Sequence, residues 1–364
     1  MTDTAIPYAL DSTLALPPID VETPCFVVLE SAVLHNLDET IKAAGGAHRL
    51  VPHVKTHRAP WIVELILSRG VTAFKTATPR EAEMVLDAGA SEVIWSYPTL
   101  SAAAIKRVIG LVGKFPGSKV VGLVDSFEGL QIWVNLLAGR EYKNLALAVD
   151  LDPGMGRTGI KPGPEAIELA QSVDRALNFA GWHVYDGHIQ DADIAVRERR
   201  CLEVRNELLA LLAKGSELGL RTALVAGGSY SFAIWAKHTD ARVSTGSWTF
   251  SSSQHQHDLA DRHWKVGAYV LSTVISGRNG TVTVDAGSKA ISPDMPMDRR
   301  FAGAEKIVGM KEEHTIVMDP KMQPGDRVAL VPRHACTTAY LYPRALVGTA
   351  AGKWEYRDQL GCER

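Results

Sequence analysis

A lysine between two histidines is the first place in this chain where residue types and spacing suggest chemistry. The segment Val51-Pro52-His53-Val54-Lys55-Thr56-His57 follows the short run Arg49-Leu50-Val51 and precedes a stretch with helical spacing over residues 59–68. In α/β chains the end of a strand that opens into a helix is where reactive side chains are placed. Positive neighbours and burial at such a position push an amine pKa down, which suits a Schiff base to an aldehyde cofactor. Read locally, the same residues also fit an exposed basic loop, the commoner fate of lysine. The remainder of the chain tips the balance toward chemistry.

Three other constellations carry donors or ligands. Two glycine turns, Gly227-Gly228-Ser229-Tyr230-Ser231 and Gly246-Ser247-Trp248, follow consecutive apolar runs. Glycine lets backbone amides approach an anion, and serine hydroxyls add donors, so the pair fits a phosphate site. The loop Asp152-Pro153-Gly154-Met155-Gly156-Arg157-Thr158-Gly159 carries a guanidinium able to hold a phenolate or a substrate carboxylate. Pairing of Arg157 with Asp150 or Asp152 fits that spacing equally well. His334-Ala335-Cys336, read as a strand, points two metal ligands the same way and suits an open site completed by water and substrate. A buried structural cysteine is the plainer alternative there. His183 and His188 flank Tyr185 and Asp186. Ser251 to His257 reads as a polar linker, and Glu312-Glu313-His314 as a surface turn.

Elements that would position these residues alternate regularly. Apolar runs end near residues 53–55, 74–78, 93–98, 120–125, 147–152, 181–186, 224–228 and 243–247, with helical spacing between them. Some eight strand-helix units in succession favour a (β/α)8 TIM-like barrel over an open sheet. Beyond residue 255 the pattern changes to short strands over 264–276, 281–285, 304–310, 314–317, 327–332 and 345–347, separated by turns such as Arg278-Asn279-Gly280. The expected domains are an N-terminal arm and strand (1–29), a barrel (30–255) and a mainly β C-terminal domain (256–364) carrying the metal pair. The N-terminal strand near Cys25-Phe26 would join the β-domain, and a helix is expected over 30–44.

Composition excludes several classes. The chain has 364 residues, a formal net charge of −2 and 46% hydrophobic residues, as expected of a globular chain. There is no basic run or aromatic-plus-basic patch for nucleic acid. No apolar stretch reaches the ~18 residues that span a membrane. The four cysteines are scattered and the N-terminus lacks a secretory pattern, which fits a reducing cytoplasm.

Taken together, the motifs resemble the D-threonine aldolase / D-serine dehydratase family of pyridoxal-phosphate enzymes with the alanine-racemase-like fold (fold type III). The resemblance runs through Thr23-Pro24-Cys25-Phe26, the Pro52–His57 segment, the Asp152–Gly159 loop, Gly227-Gly228, Gly246-Ser247-Trp248, Val284-Asp285-Ala286-Gly287, Glu313-His314 and His334-Ala335-Cys336-Thr337-Thr338. It implies a homodimeric lyase of D-3-hydroxy-amino acids that uses pyridoxal phosphate and a divalent metal such as zinc, manganese or magnesium. Residue by residue it implies that Lys55 holds the cofactor as a Schiff base, that Arg157 holds its phenolic oxygen and that Tyr185 lies near its ring. Gly227, Gly228, Ser229, Gly246 and Ser247 would bind its phosphate with Tyr230 and Trp248 nearby. His334 and Cys336 would hold the metal, and His57 would carry a proton.

Two reactions fit those parts. An aldolase deprotonates the substrate's β-hydroxyl and breaks Cα–Cβ, giving glycine and an aldehyde. A dehydratase removes the Cα proton, with Lys55 as base, and gives a 2-oxo acid and ammonia. His-x-Cys with Thr337-Thr338 resembles the dehydratase branch. The strand-7 glycine turn and Gly187-His188-Ile189-Gln190 resemble the aldolase branch, which is the reading preferred here. Arg58 stands where the family commonly has lysine, and Trp248 where it has tyrosine. A racemase of the same fold would need no metal, and a bare pyridoxal-phosphate carrier would lack the β-domain.

Overall fold

Capping side chains at the helix starts punctuate the apolar runs and set where each helix begins. In the computed structural model residues 14–364 are described; residues 1–13 of the expected N-terminal arm lie outside the described part. Thr78, Ser101 and Ser126 each accept a backbone N–H of the first helical turn, from Glu81, Ala104 and Gly129. Asp193 accepts from Ala195 and Val196 in the same way. Each such cap contributes about 1 kcal/mol.

In chain order, β1 (Cys25–Leu29) leads into α1 (Glu30–Ala44). There follow α2 (Pro60–Ser68), β2 (Ala73–Thr76), α3 (Pro79–Asp87), β3 (Glu92–Trp95), α4 (Ala102–Lys114), β4 (Lys119–Val124), α5 (Phe127–Leu137), β5 (Leu145–Leu151) and α6 (Pro164–Ala176). Then come β6 (Phe179–Val184), α7 (Ile194–Glu217), β7 (Leu224–Ala226), α8 (Phe232–His238), β8 (Arg242–Val243) and α9 (Ser253–Asp258). The remaining strands are β9 (Ala268–Arg278), β10 (Thr281–Val284), β11 (Phe301–Ala302), β12 (Lys306–Met310), β13 (Thr315–Met318) and β14 (Arg327–Pro332). The short α10 (Ala335–Ala339), β15 (Arg344–Gly348) and β16 (Trp354–Asp358) end the chain.

These elements form two units. Thr40–Lys55 and Pro60–Gly246 make a parallel unit, with Arg364; residues up to Glu39, Thr56–Ala59 and Ser247–Glu363 make a β unit. The sequence-drawn boundary at residues 30–255 differs from this. One reason is Asn36 of α1, whose side-chain amide donates to Trp248 O and Lys265 O, each at 2.8 Å, and so ties that stretch to the β unit.

In the parallel unit, β2 to β8 form one seven-stranded sheet in sequence order, every pair parallel. The expected first strand is reduced to bridges. Leu50 pairs with Val243 of β8 and His53 with Lys75 of β2, so residues 50–53 link the sheet's two edges. Pro52 between them has no N–H to donate, which prevents a continuous ladder; its carbonyl accepts from Lys75 N at 2.9 Å instead. The interior is lined by Val51, Ile94, Val121, Leu123, Ala146, Ala148 and Val225. β5 is buried along its whole length, as a strand covered on both faces must be. Among the described residues, no helix is long and apolar enough to cross a membrane.

The β unit is a nine-stranded sheet in which β1 pairs parallel with β15 and antiparallel with β9. The sequence reading missed the two-residue β11 and the exposed β16, both too weakly patterned to register. The polar run after Ser251 is no linker: residues 253–258 form α9, and His255 within it is buried enough to push its pKa down to about 4. Residues 56–59 also belong here. Arg58 adopts φ +51°, unusual for a side chain other than glycine, donates to the carbonyls of Gly361 and Glu363, and stacks 5.1 Å from the Tyr340 ring centroid. His57 is almost wholly buried, and its Nδ1 accepts the Ala59 N–H at 3.1 Å. Burial pushes its pKa down to about 3.

Two outcomes follow from these positions. Gly181 in β6 has φ +116°, and a Cβ there would sit 2.2 Å from Ala223 O. Gly181→Ala is therefore expected to destabilise the protein by ~2–4 kcal/mol in denaturant titration, and a neutral result would mean that β6 has room to shift. His57 has a folded pKa below its ordinary value, so the unfolded chain binds its proton first. Its contribution is complete above about pH 6.5 and is lost as pH falls toward 3, by up to ~1.4 kcal/mol per pH unit. His57→Asn, which keeps a short acceptor for Ala59, should flatten the acid limb of stability between pH 6 and 4. An unchanged slope would show that His57 is not the titrating group.

Candidate active site

Tyr185, just past the end of β6, is the centre around which the parallel unit gathers its charged side chains. Its ring needs glycine on two sides. A Cβ on Gly187 would lie 2.4 Å from the ring, and one on Gly228 would lie 2.8 Å from it. Around the same ring stand Lys55 Nζ at 5.8 Å, Lys75 Nζ at 5.6 Å and the Arg157 guanidinium at 4.9 Å from the centroid. Lys55 lies in a one-turn 3-10 segment, Val54–Thr56, and both it and Arg157 are exposed.

Arg157 does not pair with its neighbouring carboxylates. Asp152 accepts the amides of Gly154 and Gly156, each at 3.0 Å, which folds the loop. Asp150 accepts from Thr158 Oγ1 at 3.0 Å and lies 2.6 Å from His183 Nδ1. Of the two readings that the sequence left open for Arg157, the structure removes the ion pair. Among the described residues, no carboxylate pairs with Lys55 or Arg157.

The buried side of the ring holds a chain that the sequence did not reveal. His183 bridges Asp150 and Lys75, with Lys75 Nζ 3.0 Å from its Nε2. All three side chains are buried. With the ring hydrogen on Nδ1 facing the carboxylate, Nε2 is left to accept from the amine. Burial first, then the nearby charge of Lys55, pushes the Lys75 amine down to about 7. Burial, with the charge of Lys75, lowers His183 as well, so its imidazole is neutral. Only the alternation in Ala73-Phe74-Lys75-Thr76, with a lysine at an inward position, could have flagged Lys75 in the sequence.

The glycine turn after β7 is pinned by Asp186. That carboxylate accepts from Ser231 Oγ at 2.6 Å and Trp235 Nε1 at 2.8 Å, and Ser231 Oγ in turn accepts the Gly228 N–H at 2.9 Å. Gly227 N–H donates to Val184 O at 3.2 Å. Both glycine amides are thus engaged within the protein. Gly227 is there for its φ of +92° and Gly228 for the space that Tyr185 occupies. Ser229 Oγ and Thr245 Oγ1 meet at 3.0 Å; Tyr230 is half-buried, and Gly246 is buried after β8.

The other expected residues lie in the β unit. Ser247 and Trp248 open a 3-10 turn, and Trp248 is fully buried, its indole N–H without a hydrogen-bond partner among the described residues. His334 and Cys336 are not on a strand. His334 precedes α10 and Cys336 lies in its first turn, because the chain leaves β14 at Pro332. The two still interact. Burial works against charge on His334, but the Cys336 sulfur and the Asp294 carboxylate outweigh it and raise its pKa to about 9. Asp294 Oδ2 lies 2.5 Å from His334 Nδ1 and 3.0 Å from Thr337 Oγ1, while Cys336 Sγ lies 3.2 Å from Thr56 Oγ1. A carboxylate behind one ring nitrogen is how metal-binding histidines are oriented. Among the described residues, no three or more of His, Cys, Asp and Glu are grouped to hold a metal.

Comparison with known proteins bears on this arrangement. A family model described as "Alanine racemase, N-terminal domain" matches residues 28–253, and one described as "Putative serine dehydratase domain" matches residues 267–348. The chain is 26% identical over 371 residues to a 3-hydroxy-D-aspartate aldolase of Paracoccus denitrificans, covering 94% of this chain and 92% of that one. It is 24% identical over 355 residues to a D-threo-3-hydroxyaspartate dehydratase of Delftia sp., covering 86% and 90%. Among solved structures, a D-threonine aldolase from Filomicrobium marinum superposes with a TM-score of 0.83 at 23% identity, covering 97% of this chain and 100% of that one, a likeness of fold. The first family model spans more than half of the chain, and the protein belongs to the alanine racemase N-terminal domain family, here followed by a serine-dehydratase-type domain.

Proposed function

We propose that the chain is a pyridoxal-phosphate-dependent lyase of D-3-hydroxy-amino acids, with retro-aldol cleavage to glycine and an aldehyde as its reaction. The observation that carries this reading is the ring of nitrogen groups around Tyr185, in which, among the described residues, neither Lys55 nor Arg157 pairs with a carboxylate. Such a ring suits an anionic aromatic ligand bearing an aldehyde.

In this reading Lys55 Nζ is the point of covalent attachment, and Arg157 holds the phenolic oxygen. Tyr185 presents its face to the cofactor ring. Ser229 Oγ, Tyr230, Gly246, Ser247 and Trp248 serve the phosphate, while Gly227 and Gly228 shape the turn. When bound, pyridoxal phosphate supplies the electron sink for the bond broken at the substrate's α-carbon. His334 and Cys336 are the metal ligands of the same reading, with Asp294 orienting His334. A divalent ion held by His334 and Cys336 would supply Lewis-acid activation of a substrate β-hydroxyl, and a sulfur ligand would favour zinc. Lys55 is the proton carrier preferred over His57, whose imidazole stays neutral.

Elimination to a 2-oxo acid and ammonia is the second reading. It rests on Cys336 with Thr337 and Thr338, and on the Delftia relative's being named a dehydratase. 3-Hydroxy-D-aspartate, named for the Paracoccus relative, and D-threo-3-hydroxyaspartate, named for the Delftia relative, join D-threonine and D-serine as substrates to offer. A cytoplasmic homodimer without nucleic-acid or membrane partners completes the proposal.

Product analysis of purified protein with pyridoxal phosphate and zinc or manganese distinguishes the two. Glycine with acetaldehyde from D-threonine, or with glyoxylate from 3-hydroxy-D-aspartate, supports cleavage; ammonia with a 2-oxo acid would replace it by dehydration. Lys55→Ala should remove the visible cofactor band and lower turnover by ~10³-fold or more, and a variant with wild-type turnover would exclude the lysine's role. Asp294→Ala should weaken the metal requirement's apparent affinity by about 10–100-fold in a metal titration. Full activity after exhaustive chelation would remove the metal from the scheme.

A further inference from the structure

Lys75 is not among the residues that the motifs nominate, yet its amine stands as near the Tyr185 ring as that of Lys55. It is fixed from behind: His183 Nε2 at 3.0 Å, and behind that Asp150 at 2.6 Å from Nδ1. A surface lysine would be free to leave; this one is 3% exposed, and among the described residues its amine is held by the His183 imidazole. We propose that Lys75 is a switchable cation of this pocket, giving up its proton above neutral pH in the free protein and keeping it when an anionic ring oxygen binds against Tyr185 between Lys55 and Arg157.

The inference rests on the cofactor reading for the identity of that anion, the phenolic oxygen of a pyridoxal-type ligand. Among the described residues, the Tyr185 phenol faces Lys75 and four charged groups act on it. Lys55 from the 54–56 turn and Arg157 from the loop after β5 oppose its charge; Asp150 of β5 and Asp186 after β6 favour it; His183 of β6 is neutral. In the free protein burial and the two cations win, and the amine titrates at about 7. An anion placed among three nitrogen groups reverses that balance, because an opposite charge at close range favours the charged form. The proton comes from solvent and stays on Lys75 Nζ. His183 keeps its hydrogen on Nδ1 toward Asp150 and continues to accept at Nε2. Lys75 thus acts as a positioning residue that fixes the ring's charged edge.

Linkage makes this measurable without turnover. Pyridoxine 5′-phosphate keeps the phenolic oxygen and phosphate but has no aldehyde for Lys55. Its binding is followed by calorimetry at pH 8 in two buffers of different ionisation heat, for the wild type, Lys75→Met and Lys75→Arg. The wild type should take up ~0.5–1 proton more than either variant, since one amine moves from mostly neutral to charged. Its Kd should rise by up to ~10-fold per pH unit above pH 8, while Lys75→Arg, permanently charged, stays level. Equal proton counts in all three proteins overturn the inference. If Lys75→Met fails to fold, Lys75→Arg alone supplies the comparison. A wild type that neither binds this ligand nor forms a visible band with pyridoxal phosphate overturns the cofactor reading and the inference with it. A visible band with equal proton counts overturns the inference alone.

Discussion

A carboxylate near the C-terminal end of a fully buried strand is the constraint from which the parallel unit's chemistry follows. β5 is apolar except for Asp150, and a charge so placed must be paired or neutralised. His183 meets it at 2.6 Å, Thr158 at 3.0 Å, and His183 then has one nitrogen left, which Lys75 takes. Removing one partner leaves a buried hydrogen-bonding group unsatisfied, which typically costs about 1–3 kcal/mol and more where that group is charged. The chain of three side chains is therefore held as a unit, and it fixes one amine at the edge of the Tyr185 ring.

Space around that ring is controlled by backbone rather than by side chains. Gly187 and Gly228 leave no room for a Cβ beside Tyr185, and Asp186, between Tyr185 and Gly187 in sequence, locks the turn of Gly228 through Ser231 and Trp235. Two adjacent residues thus do different work: Tyr185 faces the nitrogen groups, and Asp186 turns the other way to hold the loop. The β unit has its own polar cluster, in which Asp294 fixes His334 and Thr56 meets Cys336.

Local pattern made much of the fold legible. The helix over 30–44 and the strand over 327–332 have the expected limits, because caps, glycines and uninterrupted apolar spacing lie within a few residues of each other. Where a long-range contact decides, the sequence is silent. Residues 50–53 read as a strand, but Pro52 reduces them to bridges. His334 and Cys336 read as a strand pair, but the chain has already turned into α10. The motif nominated Lys55, Arg157, Tyr185 and the two glycine turns. Lys75 escaped because its partner is His183 of β6, and nothing in Ala73-Phe74-Lys75-Thr76 announces a pairing across the interior.

Two amines near one ring make the covalent claim open to a direct check. The holoprotein is reduced with borohydride, digested, and the pyridoxyl group located by peptide mass spectrometry. The account predicts the modification on Lys55, in the peptide containing His53 and His57, and none on Lys75. A pyridoxyl group on Lys75, or no modification of either lysine in protein that has bound the cofactor, would contradict it.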